Sequence, residues 1–72
     1  MVKITPVSRE VGKRIRRARE ERGVTQEQVA LESGLNRAYI GYIERGERNP
    51  STETLSKIAK VLGVGLDDLF KF

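Results

Sequence analysis

The chain is 72 residues long, 33% charged and 38% hydrophobic, with a formal net charge of +4 and a pI near 9.9. That is enough for one globular domain, which at this size hides only about 60% of the surface its unfolded form exposes. It falls far short of the ~20 consecutive apolar residues a membrane span needs. With no Cys and no His, the chain has no thiol nucleophile, no imidazole base and no ordinary zinc site, so it is expected not to be an enzyme and to need no metal or cofactor. The expected setting is cytoplasmic, without a secretion signal, a membrane partner or a small-molecule ligand.

The charge is unevenly placed. Between Arg9 and Arg22 stand seven basic residues against three acidic ones, whereas residues 50–72 are neutral on balance. A basic end and a neutral end suit a protein that lays one side on a polyanion.

Residues 1–8 read as a loose N-terminal arm, with Ser8 as the N-cap of a first helix over residues 9–22, and residues 9–72 read as one domain. Val11, Ile15, Ala18 and Arg22 recur on one face of that helix, and Gly23 stops it. Its outer face carries Arg14, Arg17 and Glu21, and Arg16 can pair with Glu20 one turn on for a few tenths of a kcal/mol.

Thr25 opens a second helix, and Gln28 three residues later completes a capping-box pattern. Gln26 then lies in the first turn, where free backbone N–H groups favour an anion. Val29 should face the core, Ala30 is small enough for another helix to approach, and Gly34 can take the left-handed conformation of a sharp turn. Asn36 is the expected N-cap of a third helix.

With Ile40 and Ile43 inward, Arg37, Ala38, Gly41, Tyr42 and Arg45 turn outward, and Tyr39 and Glu44 lie on the flanks. A long cation, a methyl, a bare glycine and a phenol make a poor solvated face but suit a surface pressed into a groove. Arg37 can fork onto the O6 and N7 edge of guanine, Ala38 can meet a thymine methyl, and Tyr42 offers ring and hydroxyl to bases or phosphate. Gly41 costs roughly 1 kcal/mol against alanine inside a helix, which close approach to DNA would explain and a tolerated surface glycine would explain equally.

Gly46 should end the third helix, with Arg45, Arg48 and Asn49 placed where a duplex backbone would pass. Ser51 caps a fourth helix built on Leu55, Ile58, Ala59 and Leu62 and closed by Gly63. Val64, Leu66, Leu69, Phe70 and Phe72 then crowd a short fifth helix. So many apolar groups on one tail point to a homodimer interface over residues 64–72.

The spacing across Gln26–Arg45 resembles the helix-turn-helix family of phage repressors, Cro proteins and related bacterial regulators, and NRAYIGYIERGERNPS is similar to the controller proteins of restriction–modification systems. The resemblance implies an all-α, five-helix, lambda-repressor-like domain. It implies a sequence-specific regulator of transcription that binds double-stranded DNA as a homodimer on a pseudo-palindromic operator, small enough to act without a separate effector domain. It marks Gln26, Arg37, Ala38 and Tyr42 as DNA-contacting positions, with Tyr39 either a contact or a packing residue, and Asn36, Arg45, Arg48 and Asn49 join them by their place at the two ends of the third helix. Gln26 would touch the backbone and Tyr39 matches a tyrosine that reaches DNA in controllers. It also implies a structural, largely buried ion pair between Arg19 and Glu44. Gly65 departs from the Ser or Thr common at that place, which leaves the fifth helix poorly capped. The rival reading is a protein- or RNA-binding adaptor or antitoxin on the same fold, separable by the salt dependence and sequence preference of binding.

Overall fold

The first helix begins at Pro6, ahead of the expected Arg9. In this computed structural model, which describes residues 5–71, α1 spans Pro6–Arg22, α2 Gln26–Ser33, α3 Arg37–Glu44 and α4 Thr52–Leu62, and a 3-10 turn at Leu66–Phe70 follows. Thr5, not Ser8, is the N-cap: its Oγ1 accepts from the Ser8 N–H at 3.1 Å, and Ser8 Oγ accepts from the Thr5 N–H at 3.0 Å. Pro6 suits the first helical position because the N–H it lacks would have had no intrahelical partner. Ser8 is thereby drawn inward, its hydroxyl 3.3 Å from the Gly46 carbonyl oxygen. Of the expected arm, residues 1–4 lie outside the described residues.

The other starts fall where the caps place them. Thr25 and Gln28 form the reciprocal box, with Thr25 Oγ1 accepting at 3.1 Å and Gln28 Oε1 at 2.8 Å. Asn36 Oδ1 accepts from the Ala38 N–H at 2.8 Å, and Ser51 Oγ from the Thr54 N–H at 3.1 Å. Gly34 takes φ 73° and ψ 24°, and just beyond it the Leu35 N–H returns to the Ala30 carbonyl at 2.8 Å. This left-handed step turns the chain from α2 into α3 within three residues, at a backbone angle glycine adopts without strain.

Isolated helices as short as α2 and α3, at eight residues each, would be marginal in water, so their packing holds them. α3 lies against α1 and α2, while α4 closes the far side against both. Ile15, Val29, Ile40, Ile43, Ile58 and Leu69 are fully enclosed at the centre. Burying Ile40 and Ile43 contributes about 1.5–3 kcal/mol each, and this fixes which face of α3 is left outward.

At Gly12 the backbones of two helices come into contact. A Cβ there would overlap the Ile43 carbonyl oxygen and fall 2.6 Å from that of Glu44. Glycine lets the backbone of α1 rest directly on the last turn of α3.

The expected count of five helices is corrected to four α-helices followed by one 3-10 turn among the described residues. The last segment has five residues, too few for an α-helical ladder, and Gly65 has no side-chain oxygen to cap it. Asp68 supplies only the return bond, accepting from the Gly65 N–H at 2.9 Å. Its carboxyl is held below the ordinary range, first by the Lys71 ammonium at 2.9 Å and then by that N–H.

The proposed apolar tail is also redistributed. Leu69 is buried in the core and Val64 and Leu66 are half-buried against it, because the 3-10 turn folds back onto α1 and α4. Phe70 alone of the five is exposed among the described residues, at 44%, and Phe72 lies outside them.

Candidate nucleic-acid interface

On α3 and its C-cap, Arg37, Ala38, Tyr42 and Arg45 are exposed on the face their spacing predicts. Arg37 and Ala38 are exposed in the first turn, next to the Asn36 cap, and Tyr42 is 38% exposed one turn later. Among the described residues, no part of the chain's own tail covers them. Around Tyr42 the structure assembles a charged cluster: the Arg45 guanidinium carbon stands 5.2 Å and that of Arg48 5.1 Å from the ring centroid. Two cations against one aromatic ring are each drawn to its negative face, which holds the ring and both guanidinium groups in place. Glu47 adds a third restraint by accepting from Arg45 Nε at 3.0 Å.

Gly41 differs from expectation. It is buried rather than open, because the Arg45 side chain lies back along the helix and covers it; a Cβ at Gly41 would stand 3.1 Å from Arg45 Nη1. Side chains on a helix tilt toward its N-terminus, so a residue one turn further on covers the spot.

Tyr39 is half-buried and packs against the core, with the rest of its surface on the flank. Asn49 is exposed beside Pro50 at the mouth of a crevice that Val7 and Phe70 also line. Gln26 is half-buried in the first turn of α2, but its side chain is not free: Nε2 donates to Glu44 Oε1 at 3.0 Å. At that helix start the Gln28 N–H donates to Thr25 Oγ1 and the Val29 N–H to the Thr25 carbonyl.

Beneath this surface Glu44 is 7% exposed. Arg19 meets it with Nε at 2.6 Å and Nη2 at 3.2 Å, and Arg19 Nη1 donates to the Val24 carbonyl at 3.0 Å. The Glu44 carboxylate holds the Arg19 guanidinium above the ordinary arginine range. One buried acid therefore joins α1, the start of α2 and the end of α3, and the orientation of α3 follows from that junction. Along α1, Lys13 pairs with Glu10 at 3.5 Å, Arg16 with Glu20 at 3.3 Å and Arg17 with Glu21 at 3.8 Å, while Arg9, Arg14 and Arg22 enter no ion pair among the described residues. Arg37 enters no ion pair among the described residues, which leaves its cation available to a ligand.

Three features escaped the sequence reading: Gly12, the Gln26 amide and Glu47. A helix-interior glycine carries no periodic signal, and the Gln26 bond crosses between elements. The spacing of Glu47 from Arg45 is plain in the sequence, but whether two long side chains meet depends on the rotamers they adopt.

Comparison with known proteins agrees with the geometry. The Helix-turn-helix family model matches residues 15–69. The uncharacterised HTH-type transcriptional regulator y4dJ of Sinorhizobium fredii is 46% identical over 54 residues, covering 75% of this chain and 70% of that one. The control protein C.BamHI of Bacillus amyloliquefaciens is 44% identical over 62 residues, 85% of this chain and 76% of its own. Among solved structures, the restriction–modification controller protein C.AhdI from Aeromonas hydrophila superposes with a TM-score of 0.85 at 40% identity, covering 88% of this chain and 96% of that one. The turn at Gly34, the two short helices it joins and these likenesses place the chain in the helix-turn-helix family.

Proposed function

We propose that the chain is a sequence-specific regulator of transcription that binds double-stranded DNA as a homodimer, with the exposed face of α3 in the major groove. One observation carries the reading: Ile40 and Ile43 are enclosed while Arg37, Ala38 and Tyr42 stand outward on the same helix. Arg37 offers a fork for the O6 and N7 edge of guanine, Ala38 a methyl for thymine, and Tyr42 a ring and hydroxyl for bases or phosphate. Asn36, Tyr39, Arg45, Arg48 and Asn49 border this face, and the N-terminal turn of α2 at Gln26 offers backbone N–H groups to a phosphate.

In a two-fold pair, two copies of α3 would enter successive major grooves about 34 Å apart on a pseudo-palindromic site. Exposed Phe70, which lines one crevice with Val7, supplies apolar surface for that pairing, while Val64 and Leu66 are half-buried against the core. The likeness to C.BamHI and C.AhdI supports a controller role within the family. No catalytic step belongs to this reading, and among the described residues no helix is long and apolar enough to cross a membrane. A cytoplasmic setting follows from the proposed work on DNA.

The test is binding of one duplex and of its scrambled sequence as salt is raised. A DNA reader loses affinity steeply with salt yet keeps its preference between the two duplexes. Weak binding without preference at every salt concentration contradicts the reading and favours the adaptor alternative.

A further inference from the structure

The arginine at the end of α3 is placed as though it belonged one turn earlier. At about 100° per residue, Arg45 lies near the midline of the exposed arc that Arg37, Ala38 and Tyr42 span. Its guanidinium does not trail off the helix end; it lies back over Gly41, with Nη1 3.1 Å and both Cζ and Nη2 3.8 Å from where a Cβ would stand. The missing side chain at Gly41 is thus replaced by a cation delivered from Arg45. The Tyr42 ring supports that cation at 5.2 Å, and the Glu47 carboxylate takes the Arg45 Nε at 3.0 Å.

Resting on the proposed reading of DNA by α3, we infer that Arg45 is a second specificity-determining residue, which reads a guanine edge, and that Gly41 and Glu47 are its positioning residues. Two chemical arguments favour a base over a phosphate. With Nε bonded to Glu47, the two terminal nitrogens remain, and these can fork end-on onto O6 and N7. The Glu47 charge beside the fork repels a phosphate anion but leaves the uncharged acceptor edge of a base unopposed. A cation held by a ring and a carboxylate also loses less freedom on binding than one that swings in solvent.

The experiment uses the full chain and the duplex it selects, with each G·C pair of a half-site replaced in turn, and compares the native chain with Arg45→Lys, Arg45→Ala, Gly41→Ala and Arg37→Ala. Lysine keeps the charge and loses the fork. Arg45→Lys is expected to lose discrimination of about tenfold or more at one G·C pair, distinct from the pair affected by Arg37→Ala, while its affinity for scrambled duplex stays within about twofold. Gly41→Ala, whose methyl meets only a flexible side-chain end, should stay folded, as circular dichroism will check, and lose part of the same discrimination. If Arg45→Lys keeps the native preference at every pair, or Arg45→Ala weakens all duplexes equally with a shallower salt slope, the residue clamps phosphate and the inference is overturned alone. If the native chain itself prefers no duplex, the DNA reading falls and takes this inference with it.

Discussion

Arg19 sets two nitrogens of its guanidinium on the Glu44 carboxylate, at 2.6 and 3.2 Å, and so ties α1 to the last turn of α3. The side chains are 14% and 3% exposed, which removes most of the water that would weaken such a pair at the surface. The pair does not by itself make the fold stable, since replacing a buried pair with well-packed apolar groups is often neutral. It sets how α3 sits.

Removing one partner should therefore cost more than removing both. Glu44→Gln leaves the Arg19 cation without its counter-charge and is expected to lower stability by about 3–5 kcal/mol. The combined Arg19→Met, Glu44→Leu chain should recover much of that loss. Urea midpoints of the three chains decide the matter, and a Glu44→Gln midpoint equal to the native one would mean the pair is not buried in solution.

Gly12→Ala tests the contact between α1 and α3. The new methyl would meet backbone, the carbonyls of Ile43 and Glu44, with no flexible side-chain end to give way. Alanine gains up to ~1 kcal/mol in helix preference, but overpacking costs typically 1–3 kcal/mol and more where backbone must shift. A lower thermal midpoint is expected for Gly12→Ala, and an unchanged or raised one for Gly41→Ala. Equal shifts in the two would show that the helices are not in contact at Gly12.

The tail separates core from interface. Leu69→Ala should cost about 2–5 kcal/mol of stability, since Leu69 is enclosed. Phe70→Ser, at a site 44% exposed, should cost less stability than Leu69→Ala and raise the dimer dissociation constant, as read by sedimentation. Phe70→Ser that leaves self-association untouched would move the interface elsewhere.

Much of this was legible before the coordinates, and for a local reason. Thr25 with Gln28, Asn36, Ser51 and the left-handed glycines act within a few residues of themselves, so their spacing alone marks the ends of α2, α3 and α4. The inward turn of Ile40 and Ile43 likewise follows from period. Arg19–Glu44 was reached only through the family resemblance, because nothing local joins residues on different helices. Ser8 was misread because it takes part in the same reciprocal box as Thr5, and the Thr5–Pro6 step that marks a helix start was passed over. Leu69 and Gly41 turned out buried for a tertiary reason: which apolar group reaches the core, and which side chain lies over a glycine, depends on where other elements and long side chains come to rest.

The central claim is that the exposed side of α3 reads base edges, and selecting bound duplexes from a random pool, for the native chain and for Arg37→Ala, tests it most directly. The native chain should enrich a two-fold symmetric site, and Arg37→Ala should relax preference at one guanine per half-site by about 1–3 kcal/mol while the rest of the motif persists. No enriched motif for the native chain, or an identical motif for both chains, would contradict it.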